Sequence, residues 1–187
     1  MEKVNLGAVI PAYPMAVSLV GAHVDGKPNF LAIAWFTMAG YSPPMALVCL
    51  GKGHYTNPGI KENGTFSLCL PSQDMAGITD YCGIVSGKKT DKSGLFDIFY
   101  GELKTAPMIK DCPLCVECKL DKVVDNARNE MFIGEIKGVY SEERYLTDGK
   151  PDFTKTKPLI LSQPDTSYWR LGEKTADAWS IGKTYKK

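Results

Sequence analysis

The sequence predicts a mainly β fold, a barrel or sandwich with a few short helices. Three observations carry this. Short apolar runs recur along the chain, Gly, Pro and Asn turns separate them, and only two segments show helical spacing. A length of 187 residues fits a single domain spanning 1–187, on the usual scale of about 100–200 residues per domain.

The elements follow in order. Met15–Val24 reads as a strand that runs into Asp25-Gly26, a favoured type I′ turn pair. After Lys27-Pro28 a second apolar run, Asn29–Ala34, returns, so the two form a hairpin with a slightly long loop. Met45–Leu50 and Thr65–Leu70 are short continuous apolar segments, as expected of strands buried on both faces. Leu114–Leu120 and Met131–Tyr140 are later strands. One helix starts with Thr56 or Asn57 as N-cap and Pro58 in its first turn, and ends at Gly64. A second starts near Ser72 or Asp74, places Met75, Ile78, Thr79 and Cys82 on one face, and closes at Gly83 and Gly87. The polar stretch from Gly87 to Gly94 is a loop, and Pro151–Pro164 is a surface excursion.

Composition narrows the function classes. The 22 Lys and Arg nearly cancel the 21 Asp and Glu, leaving a net charge of +1. No overall field therefore selects nucleic acid or an anionic membrane. The first residues are charged, and the next apolar stretch is interrupted by Pro11 and Pro14, which is neither an export signal nor a spanning helix. Six cysteines without such a signal are expected to be reduced thiols of a cytoplasmic protein.

Several motifs fail on inspection. Gly21 to Lys27 follows a phosphate-binding loop until Pro28, which has no hydroxyl for magnesium and no amide for phosphate. Gly51-Lys52-Gly53 opens like a dinucleotide fingerprint, but Thr56 stands where the third glycine belongs. Cys112-Pro-Leu-Cys115-Val-Glu-Cys118 has the spacing of an iron–sulfur run but offers only three of the four thiolates such clusters need. On a strand, Cys115 and Cys118 face opposite sides, so these residues read as core cysteines. Neither His23 nor His54 belongs to a nucleophilic or metal-ligating pattern. No catalytic side chain and no metal ligand are assigned, so any chemistry is borrowed from a cofactor.

One region is unusual for plain core. Trp35-Phe-Thr-Met-Ala-Gly-Tyr-Ser-Pro-Pro44 follows a strand, and after the next strand Gly51-Lys-Gly-His-Tyr-Thr56 leads into a helix. A flat ring system with a phosphate tail needs small residues along its polar edge, an apolar wall, and hydroxyls with helix amides for the anion. Thr56, with Lys52 and His54 nearby, could supply the anion end. A core strand followed by a surface loop explains the same residues without a ligand.

The block Asn29–Pro44, His54-Tyr-Thr-Asn57 and Ile60–Pro71, in this order, resembles the flavin reductase-like family and within it the flavoredoxins. The resemblance is strong over residues 10–100 and traceable to about Gly172. It implies a split, Greek-key-like β-barrel that binds FMN and forms a homodimer. Asn29, Trp35, Thr37, Met38 and Ala39 would line the isoalloxazine. Gly51, Lys52, Gly53, His54, Tyr55 and Thr56 would embrace the ribityl phosphate. Lys92 would reach the flavin from its loop, and Tyr168 would cover the site. Many relatives carry a histidine five residues before the glycine that corresponds to Gly134, where this chain has Asn129. Asparagine hydrogen-bonds but takes up no proton near neutral pH, which bears on oxidation of NAD(P)H more than on FMN binding.

The leading functional expectation is electron transfer through bound FMN, with a redox partner protein or NAD(P)H as donor. The alternatives are an NAD(P)H-dependent flavin or ferric reductase, a non-catalytic FMN-binding or storage protein, and, more remotely, a metal scaffold built on Cys112, Cys115 and Cys118.

Overall fold

The computed structural model describes residues 2–11 and 13–185. Seven strands build one sheet: Ser18–Val24 (β1), Lys27–Ile33 (β2), Phe36–Tyr41 (β3), Pro44–Gly51 (β4), Thr65–Leu70 (β5), Leu114–Asp125 (β6) and Asn129–Tyr140 (β7). Their order is β2-β1-β5-β6-β7-β4-β3, and every neighbouring pair is antiparallel. The two edges, β2 and β3, are consecutive in the chain yet share no ladder. Alternate residues of the strands meet in one core, including Val20, Leu31, Val48, Phe66, Val116 and Phe132, with Phe36 packed against it. The sheet therefore curls around its own interior and stays open along the seam between β2 and β3. This is the split barrel.

The β1–β2 hairpin is tighter than expected. Val24 pairs directly with Lys27, and Asp25 and Gly26 both adopt positive φ, which is what a two-residue type I′ turn requires. Lys27 and Pro28 belong to the strand. Proline is tolerated there because β2 is an edge. Phe36–Tyr41, within the block flanked by Trp35 and Pro44, forms the second edge strand, β3. A short separate sheet joins Met15–Ala16, Ile160–Ser162 and Ser167–Trp169. The proline-flanked segment is thus more than a surface excursion, and Leu159 within it is buried.

Two helices of at least two turns pack outside the barrel, and a one-turn helix lies at Phe153–Thr156. In α1 (Thr56–Asn63), neither Thr56 nor Asn57 caps the helix. Both lie in its first turn, and their side chains serve other partners. Thr56 Oγ1 accepts from Asn29 Nδ2 at 2.9 Å, and Asn57 Nδ2 donates to the Gly51 carbonyl and to Glu130. Gly64 ends α1 in the left-handed region as expected. A 3₁₀ turn at Gln73–Met75 leads into α2 (Ala76–Ile84), and Gly83 lies inside this helix instead of closing it.

The outward faces of β1, β2, β5 and β6 form a second core. Leu19, Phe30, Cys69 and Cys115 pack there against Cys82 of α2 and against Met108, Ile109 and Cys112. Cys118 belongs to the barrel interior, so Cys115 and Cys118 do face opposite sides. Glu117, the next outward residue of β6, is fully buried. Its carboxylate accepts from the amides of Glu102 and Leu103 and from Tyr140 Oη at 2.6 Å. Three donors offset the cost of burying the charge and fasten the 101–103 segment to the sheet.

Gly59 sets the position of α1. A β-carbon there would overlap the His23 carbonyl oxygen, a backbone atom that cannot swing away. Gly59→Ala is expected to lower stability by about 1–3 kcal/mol, measured by urea denaturation.

Candidate functional site

The seam of the barrel opens into a cleft of about 340 Å³. Its walls are mostly apolar: Ala32 and Ile33 from the end of β2, Ala34 and Trp35 from the crossing, Leu161 from the small sheet, and Val17 between that sheet and β1. The Trp35 carbonyl accepts from the Cys49 amide at 2.9 Å, which fixes the crossing against β4. The polar side chains lining it include His54, Asn129, Gln163 and Tyr168. Register explains one of them, because Asn129 opens β7 directly opposite Gly51 at the end of β4.

Beside the cleft lies a polar hollow of about 330 Å³, whose lining includes Asn29, Tyr55 and four lysines, Lys27, Lys88, Lys89 and Lys92. Asp25 and Asp91 offset part of that charge: Tyr55 Oη donates to Asp25 at 2.7 Å, and Lys27 pairs with Asp91 at 2.8 Å. Asn29 and its partner Thr56 are buried next to this hollow. Gly87 packs so closely on Asn29 and the Tyr55 ring that a β-carbon would not fit.

Lys92 is almost fully buried, and its Nζ donates to the carbonyls of Phe30, Val85 and Cys82 at 2.6, 3.0 and 3.2 Å. Burial lowers its pKa from the ordinary lysine value. The His54 pKa is lowered too, first by partial burial and then by the nearby positive charge of Lys92. Tyr168 Oη donates to Asp80 of α2 at 3.0 Å. Burial and this carboxylate push its pKa up to about 12, so the phenol stays protonated.

Of the residues expected from the sequence, Trp35, Gly51, His54 and Tyr168 line the cleft, and Asn29, Tyr55 and Lys92 line the hollow. Thr56 joins the second group through Asn29. Thr37, Met38 and Ala39 lie on edge strand β3 with exposed side chains and do not line the cleft, although Thr37 lines a neighbouring hollow that shares Ala34, Trp35 and Cys49 with it. Lys52 is exposed and pairs with Asp125 at 2.6 Å, and nothing lies within reach of a β-carbon on Gly53. Val17, Cys49, Gly83, Leu161 and Gln163 were not expected in the cleft. The period-two alternation of β4 could have pointed to Cys49, whereas Leu161 and Gln163 carry no local signal. Among the described residues no group of three or more His, Cys, Asp or Glu is placed to hold a metal ion.

The His54–Lys92 relation is testable by NMR titration. The His54 midpoint should fall below the ordinary 6.5 and should rise in Lys92→Met, because the imidazolium then no longer faces a cation. An unchanged midpoint in that variant would show that burial alone sets it.

The geometry can be set beside known proteins. The flavoredoxin of Methanosarcina acetivorans superposes with a TM-score of 0.95 at 50% identity, covering 98% of each chain. The flavoredoxin of Desulfovibrio vulgaris (Miyazaki F) superposes at 0.90 with 37% identity, covering 97% of this chain and 100% of that one. An NADH-dependent FAD reductase of Streptomyces globisporus is 23% identical over 136 residues, 72% of this chain and 74% of that protein. Residues 10–162 match the flavin reductase like domain. With most of its length inside that match and its barrel split where the cleft opens, the chain belongs to the flavin reductase like domain family.

Proposed function

We propose that the chain is an FMN-binding electron-transfer protein of the flavoredoxin type. The observation that carries this is the buried Asn29–Thr56 hydrogen bond, which sits where the barrel seam meets the first turn of α1. On one side lies an apolar cleft of the kind a flat ring system needs, and on the other a hollow lined by lysines. Both flavoredoxins that superpose on the chain cover almost its whole length.

FMN, when bound, supplies the electron transfer, accepting and releasing electrons singly or in pairs. The residues of the chain position it and shape its surroundings. Trp35 and the β2 aliphatics form the apolar wall, and Tyr168 covers the mouth. Thr56 already accepts from Asn29, so its hydroxyl hydrogen remains to be donated to an anion. In the first turn of α1 the Asn57 amide is given to the His54 carbonyl and Pro58 has none, which leaves the Thr56 amide for the anion. His54 completes that end, and Lys92, whose three hydrogens go to carbonyls, adds its charge. Thr37, Met38, Ala39, Lys52 and Gly53 line neither the cleft nor the lysine-rich hollow.

The proposed state is a homodimer. Met38 and Tyr41 on edge strand β3 are exposed, as are Leu171, Trp179, Ile181 and Tyr185 in the extended C-terminal segment. Apolar surface of this extent favours a protein partner. The proposed compartment is the cytoplasm, in keeping with six free thiols. No helix among the described residues is long and apolar enough to cross a membrane.

Thr56→Ala removes the hydroxyl and leaves the Asn29 amide without its acceptor. FMN affinity is expected to weaken by about 1–3 kcal/mol, read by quenching of flavin fluorescence. Unchanged affinity would remove Thr56 from the site. The second reading is an NADH-dependent flavin reductase, favoured by the reductase relative of Streptomyces globisporus. Asn129 stands in the cleft wall and cannot take up a proton there, which supports the carrier. Steady-state NADH oxidation with added FMN separates the two. The carrier reading expects almost none, and sustained turnover would favour the reductase.

A further inference from the structure

The three cysteines nearest the outer face of β6 form a group that the flavin reading leaves unused. Cys69 on β5 and Cys115 on β6 are direct cross-strand partners, and both side chains enter the second core. Opposed residues of an antiparallel pair have Cα atoms about 4.5–5.5 Å apart, inside the span that a disulfide bridges. Cys112 joins them in that core, and Cys115 Sγ reaches the Cys112 carbonyl at 3.9 Å. The backbone of Ile109 bridges two of them. Its amide donates to Cys69 Sγ at 3.4 Å, and its carbonyl accepts from Cys115 Sγ at 3.3 Å.

This is more than core filling. An isolated core cysteine behaves as a small apolar residue, whereas Cys69 has donors gathered around its sulfur. Burial alone would raise its pKa, but Cys112, Cys115 and the Ile109 amide outweigh burial and hold the thiol well below its ordinary value. Cys112 moves the opposite way, raised by its contacts with the other two sulfurs and by burial, and so stays a protonated donor. The group is not placed to hold a metal ion. Directly opposed thiols on paired strands, with a third thiol in the same core, are instead the arrangement of thiol–disulfide chemistry.

We propose that Cys69, Cys112 and Cys115 form a redox-active thiol site, in which a two-electron oxidant of the peroxide class produces a disulfide anchored on Cys69. Cys115 is its first partner, and Cys112 is the thiol that can exchange into the bond. The Cys69 sulfur attacks one oxygen of hydrogen peroxide, the O–O bond breaks, and one water leaves, giving a sulfenic acid. The Cys115 sulfur then attacks the Cys69 sulfur, the S–O bond breaks, and a second water leaves as the S–S bond forms. Both thiol hydrogens depart in the water, and the two electrons end on the peroxide. All three side chains are buried, so access comes by local opening of the second core. The chemistry needs no flavin. It lies close to the cleft, since Ala32 lines the cleft and also packs against the second core.

The test uses the full chain exposed to hydrogen peroxide, then unfolded for thiol counting and peptide mapping. Two of the six thiols should disappear and return with dithiothreitol. Trypsin places Cys69 with Cys82 on residues 62–88, and Cys112, Cys115 and Cys118 on residues 111–119, so fragmentation spectra of the linked pair identify the sulfurs. The expected link joins Cys69 to Cys115 or Cys112. Cys69→Ser and Cys69→Ala, checked for folding by circular dichroism, should lose the link, whereas Cys82→Ala should keep it. Six thiols surviving oxidation, conversion to sulfinic acid without a link, or a link that omits Cys69 would each overturn the proposal.

Discussion

The arrangement of this molecule depends on two edge strands that never pair. β2 and β3 are neighbours in sequence and lie at opposite ends of the sheet order. Curling brings them together around one core, but the Ala34-Trp35 crossing leaves the barrel open. Elsewhere in the sheet the backbone groups have ladder partners, so a cleft has room only where the ladder is missing. The seam therefore fixes where the cleft lies and which residues form its wall. It also explains why α1 begins there: Gly51 ends β4 at the seam, and Thr56 enters the first turn five residues later.

Two buried charges hold what lies around that seam. Lys92 gives its ammonium hydrogens to carbonyls of β2 and of the C-terminal end of α2, tying the 86–92 loop to the open edge. Glu117 does the reverse on the far side of the second core, accepting from two loop amides and a tyrosine. Neither charge has an oppositely charged side chain as its hydrogen-bonding partner. Each is satisfied mainly by backbone groups, which tolerates burial because several hydrogen bonds converge on one ion. The second core between them contains the three clustered thiols, so thiol chemistry there would act on the packing that positions α2 and, through it, Lys92.

Much of the fold was legible in the sequence. The type I′ turn at Asp25-Gly26, the strand Thr65–Leu70 and the left-handed end of α1 at Gly64 rest on local chemistry, and the structure has them. The misreadings came where a side chain was claimed by distant structure. Thr56 and Asn57 looked like caps, but Asn29 and Glu130 engage them from other strands. β3 was hidden because an exposed edge strand with one face on the core does not read as a continuous apolar run. The clustering of Asn29, Thr56 and Lys92 was legible only through the resemblance to a family. Leu161 reaches the cleft by pairing with Met15 across almost the whole chain, and Gln163 follows directly on that strand, which no local pattern encodes.

The most direct measurement is the absorption spectrum of the freshly purified protein, followed by identification of whatever it releases on denaturation. The account predicts a yellow protein that releases FMN in a one-to-one ratio with the chain. A colourless protein that also leaves the spectrum of added FMN unchanged would contradict it.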